Sequence, residues 1–91
     1  MPLRRPHPRH VYLSLARLLR ECDVHHLAAK VECRFVPALA FPTYLVSAAG
    51  EARSFVAAVL ERALGREFAP GAERWVLEPE EAARLMYSPA T

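Results

Sequence analysis

The chain contains no isoleucine, no asparagine and no glutamine, and Lys30 is the single lysine among its 12 basic residues. Isoleucine, asparagine and lysine are encoded by AT-rich codons, so their scarcity points to a GC-rich genome. Loss of asparagine and glutamine also removes the side chains that deamidate, a trait reported for thermophiles. A thermophilic, GC-rich prokaryote or its phage is the expected source. Cysteine is sparse too: two residues do not make a disulfide framework. Long apolar runs are missing, and nothing approaches the ~20 residues that span a bilayer. Arg17, Arg20 and Glu21 interrupt the only stretch near the start that a signal peptide would need to keep apolar. The expectation is a cytoplasmic protein with reduced thiols and no membrane partner.

What is present bounds the rest. Ninety-one residues, 53% of them hydrophobic, suffice for one core and one domain. The net charge of +2 is too small to imply a polyanion partner. Its distribution is uneven. The first 20 residues hold Arg4, Arg5, Arg9, Arg17 and Arg20 with no acid, whereas residues 35–91 are slightly acidic. The division gives the molecule a basic front and an acidic back.

The prolines of MPLRRPHP predict an extended, flexible arm over residues 1–9. A single α+β domain is expected over 10–87, followed by a short tail at 88–91. His10 to Cys22 repeats Val11, Leu15, Leu18 and Cys22 at helical spacing. Asp23 ends that helix and can cap a short second one through Ala29. Val31 to Val36 alternates apolar and charged residues, the mark of a half-buried strand. Thr43 to Ser47 reads as a second strand, and the flanking prolines push one or both toward a sheet edge. Glu51 to Leu64 carries an apolar stripe of Ala52, Phe55, Val56, Val59, Leu60, Ala63 and Leu64, stopped by Gly65. Arg74 to Leu77 makes a third strand with Trp75 as anchor, and Pro79 opens a last helix that runs to about Met86. The order α-β-β-α-β-α predicts an α+β two-layer sandwich, with helices on one face of a small antiparallel three-stranded sheet.

All four histidines and both cysteines lie between His7 and Cys33. Cys22 stands three residues from His25 and four from His26, spacings that share one helical face. With Cys33 they make a candidate zinc set, Cys22, His25, His26 and Cys33. Against this, both cysteines fall on apolar stripes, and no CxxC or HxxxH is present. Arg4, Arg5, Arg9, Arg17 and Arg20 are the candidate nucleic-acid contacts, tracking phosphates from the arm and first helix. Leu15 to Arg34 also has the rhythm of a helix-turn-helix, although Leu19 is bulky at the turn and Glu32 interrupts the second helix.

No nucleophile stands in a recognisable catalytic motif, and Glu80 and Glu81 read as a charged first turn. The nearly uncharged run PALAFPTYLV remains. Phe41, Tyr44 and Leu45 are the candidate protein interface, an apolar edge open to a partner or a second copy. A small non-enzymatic interaction module, regulatory or accessory, is therefore expected. It needs no cofactor, and its partner is a protein or another copy, with nucleic acid as a further possibility. The alternative is a structural zinc domain.

Overall fold

The computed structural model describes residues 6–37 and 42–87. Three α-helices, one 3-10 helix and three strands follow the expected order. The first helix, α1 (Pro8–Glu21), begins inside the segment expected to be an arm. Pro8 takes the first helical position, where its missing N–H costs nothing and its fixed φ suits the turn. His7 caps it, its Nδ1 accepting the Arg9 N–H at 3.0 Å. Pro6 is buried, and its carbonyl accepts the hydroxyl of Tyr44. Residues 6–9 therefore belong to the fold, and the expected arm is corrected to that extent. Residues 1–5 and 88–91 lie outside the described residues.

Asp23 ends α1 by a route the sequence reading missed. It adopts φ 61, the left-handed conformation that aspartate tolerates better than most side chains. The Val24 N–H reaches back to the Leu19 carbonyl and the Asp23 N–H to that of Arg20, both at 3.0 Å. This pairing closes the helix as a Schellman motif. The chain then makes a 3-10 helix (His25–Lys30) with Val24, not Asp23, at its N-cap position and no side-chain cap, and enters β1 (Val31–Val36) directly. The turn leads into a strand, so no helix-turn-helix forms.

The sheet is antiparallel in the order β1-β2-β3, with β2 spanning Thr43–Ala48 and β3 spanning Arg74–Leu77. Pro42 stands just before the first paired residue of β2, so it removes no ladder donor, and β2 is central despite it. One face carries Val31, Tyr44, Val46, Ala48, Trp75 and Leu77, all buried. α1 packs on β1 and against α3 (Pro79–Met86), and α3 covers β2 and β3. α2 (Ala52–Leu64) wedges against α1 and α3. That position widens its buried arc to Ala52, Val56, Ala57, Val59, Leu60 and Leu64 and moves it off Phe55, which is exposed. Gly65, at φ 71, stops the helix as expected.

Glu81 has more than a dipole role. It is buried, and it takes Arg66 in a two-pronged bridge, Nε to Oε2 at 2.6 Å and Nη2 to Oε1 at 3.1 Å. Its Oε1 also accepts the Glu78 N–H at the start of α3. The Arg66 guanidinium lies 4.1 Å from the Phe68 ring centroid and donates to the Val76 carbonyl at 3.0 Å. One side chain thus ties the loop after α2 to both β3 and α3.

The hydrogen bonds from Arg66 hold the Glu81 carboxyl below its ordinary 4.5. A depressed native value means that the bridge contributes fully above that pH and fades as acid protonates the folded carboxyl. Arg66 keeps nearly half its side chain in water, so screening limits the effect. Glu81→Gln should cost about 1–2 kcal/mol at pH 7. The gap from the parent should narrow once the pH falls below 4.5 and close below the native carboxyl's own pKa. Urea melts across this range check both.

Candidate interaction surface

The described helices all pack on one side of the sheet, so strand alternation sends every second residue to a face that none of them covers. This outer face carries Glu32, Arg34 and Val36 from β1, Thr43, Leu45 and Ser47 from β2, and Arg74 and Val76 from β3. Leu45 and Val76 are direct cross-strand partners, and Val36, opposite Thr43, is diagonal to Leu45. Val76 is 52% exposed and Val36 39%, and Leu45 is half-buried by its neighbours. The three make a small apolar patch rimmed by Arg34 and Arg74.

The expected interface residues separate here. Leu45 is on the outer face. Tyr44 is fully buried on the inner one, with the Phe35 ring centroid 5.1 Å from its own. Adjacent strand residues face opposite ways, so Tyr44 and Leu45 cannot share a surface. Nor is β2 an edge: both its sides are paired. Tyr44 is thus corrected from an edge residue to a core residue. Phe41 lies outside the described residues. Val36 and Val76, which the sequence reading left out, complete the patch. The signal for them was the strand alternation itself, applied to β1 and β3 as well as to β2.

The two outer strands differ. β3 has four residues, and Arg66 already occupies its Val76 carbonyl. β1 has six residues, with no proline and no bulge in its pairing with β2. Charged side chains on it point outward only, at Glu32 and Arg34, whose groups are 3.9 Å apart and about two-thirds exposed. A groove of ≈ 390 Å³ runs beside it between His7, Pro8, Arg9 and Tyr12 of the helix side and Val31, Glu32 and Cys33 of the strand. A larger open hollow, ≈ 640 Å³, lies at the end of the sheet near Gly50. Lys30, Arg53 and Arg74 line it together with Glu32 and Glu73, so its charge is mixed.

The zinc set does not gather. Among the described residues no three His, Cys, Asp or Glu side chains stand where one ion could join them. The expected spacing assumed a continuous helix through Cys22, His25 and His26, and the left-handed turn at Asp23 breaks it. Cys22 is exposed and its sulfur accepts from Arg62 at 3.5 Å. His25 and His26 are exposed on the 3-10 helix, and Cys33 sits on the inner side of β1. Of the candidate nucleic-acid contacts, Arg9 and Arg20 are exposed on α1. Arg17 is half-buried and stands 3.8 Å from Glu21 one turn on. Arg4 and Arg5 lie outside the described residues. Among the described residues no helix is long and apolar enough to cross a membrane.

Burial, and to a lesser extent the neighbouring Glu32, push the Cys33 thiol up to about 12. Because the thiolate is the reactive form, iodoacetamide at pH 8 should label Cys22 in the native protein and leave Cys33 at least ~10-fold slower until denaturant is added. Peptide mass mapping over time reads this directly. No family model matches the chain, and no curated protein or solved structure shows significant similarity to it.

Proposed function

We propose that this chain is a non-enzymatic interaction module, regulatory or accessory, that binds another protein through the outer face of its sheet. One observation carries the reading: the strand register sets Val36, Leu45 and Val76 near one another on a face that no described helix covers. Burying such side chains against a partner returns about 25 cal/mol for each Å² of apolar surface removed from water. The patch is small, and the arginines around it suit the polar rim of a modest, specific contact. Its flat strand geometry fits a partner's helix or sheet better than a small molecule, which needs a deep pocket.

Val76→Glu tests the reading, because Val76 is the most exposed member of the patch. The substitution should change folding stability by less than about 1 kcal/mol. Tagged parent and variant, matched by circular dichroism, are taken through extracts of the host cell. A partner recovered in stoichiometric amount with the parent and lost with Val76→Glu is the expected result. Equal recovery with both chains would place the binding surface elsewhere.

A further inference from the structure

We propose that the hollow at the end of the sheet binds a small phosphorylated polyol, with the phosphate held by Lys30, Arg53 and Arg74 and the hydroxyl groups by Ser47 and Glu73. The proposal goes beyond the protein-binding reading and does not depend on it.

The first argument is unbalanced charge. Lys30 ends the 3-10 helix, Arg53 stands in the first turn of α2 and Arg74 opens β3, yet all three line one hollow of ≈ 640 Å³. The Lys30 Nζ lies 3.7 Å from the point that a side-chain carbon on Gly50 would occupy. The Arg53 Nε donates to the Gly50 carbonyl at 3.2 Å. Two cations thus converge on a residue that has no side chain. Among the described residues, neither the Lys30 ammonium nor the Arg74 guanidinium has an ion pair or a hydrogen bond. Of the two acids in the lining, Glu32 already faces Arg34 at 3.9 Å. Glu73 is left against three cations, a surplus of two positive charges. A phosphate monoester carries the matching charge above its second pKa of about 6.

The second argument is preparation. The Arg53 Nη1 also reaches the Gly71 carbonyl, at 3.5 Å, so two backbone oxygens hold the guanidinium in place. Its remaining N–H donors are free to grip an oxyanion without first being ordered.

The third argument is what the rest of the hollow accepts. Its volume falls among small-molecule sites, which span roughly 300–1,000 Å³. Among the described residues, no aromatic side chain lines it, so a nucleobase finds no ring to stack on. Glu73 would repel a second phosphate, which counts against a polyphosphate or a nucleic-acid strand. The same carboxylate accepts hydroxyl groups, and the Ser47 hydroxyl can both donate and accept. Neither side chain has a partner among the described residues.

Glycerol phosphate, inorganic phosphate and glycerol serve as probes, titrated at pH 8 into the isotope-labelled full chain and followed by amide shifts. Glycerol phosphate should give saturable shifts at Ala49, Gly50 and Arg53, with a Kd at least ~10-fold below that of inorganic phosphate. Glycerol should give none. Lys30→Met and Arg74→Met, both at exposed positions, should each weaken glycerol phosphate ~10-fold or more while their urea melts match the parent's. Glu73→Ala relieves the repulsion of both phosphates but removes a hydroxyl acceptor from one, so the preference for glycerol phosphate should fall several-fold. The absence of saturable shifts with either phosphate overturns the proposal, and so does binding indifferent to Lys30→Met and Arg74→Met. Inorganic phosphate bound as tightly as glycerol phosphate, or a preference unmoved by Glu73→Ala, assigns the hollow to bare anions and overturns it too. A phosphoserine peptide bound more tightly than glycerol phosphate would assign it to a protein partner, with the same result. Val76 does not line the hollow, so Val76→Glu should bind glycerol phosphate as the parent does, and either reading can fail without the other.

Discussion

A three-stranded sheet has two faces, and this chain has helical apolar surface for one. Every other feature of the molecule follows from that inequality. Val31, Tyr44, Val46, Ala48, Trp75 and Leu77 meet three helices on the inner side and make the core. Their strand neighbours are left in water, where most are polar. The exceptions are Leu45, Val36 and Val76, apolar side chains that no described helix covers. In a chain this small the surface that folding leaves over is a large fraction of the whole.

The core is closed at its margins by polar contacts, two of them between segments distant in sequence. The Tyr44 hydroxyl draws in the carbonyl of Pro6, the Tyr12 hydroxyl binds Ala28, and the Trp75 indole N–H binds the Ala69 carbonyl at 2.9 Å. In each case a large side chain fills the interior while its polar end satisfies a backbone group that would otherwise be orphaned. Arg66 and Glu81 do the same work with charge.

The fold was legible because its signals are local and periodic. The alternation in VECRFV, the stripe from Ala52 to Leu64 and the placement of Pro79 each identify an element without knowledge of its neighbours. What was not legible depends on conformations or partners that a pattern does not encode. Asp23 is as plausible a helix start as a helix stop, and only its positive φ decides. Pro8 looks like a helix breaker until His7 stands before it as a cap. Glu81 looks like an ordinary acid of a first turn until Arg66, from another element, finds it. The outer face is half legible: a run of apolar letters groups Leu45 with Tyr44 and hides the fact that successive side chains part company.

Arg66 has one more consequence. A sheet with two available rims can recruit strands without limit, as fibres do, whereas one whose far rim is stoppered accepts a single addition and then ends. By holding the Val76 carbonyl, a lone guanidinium withdraws that acceptor from any strand that would add at β3.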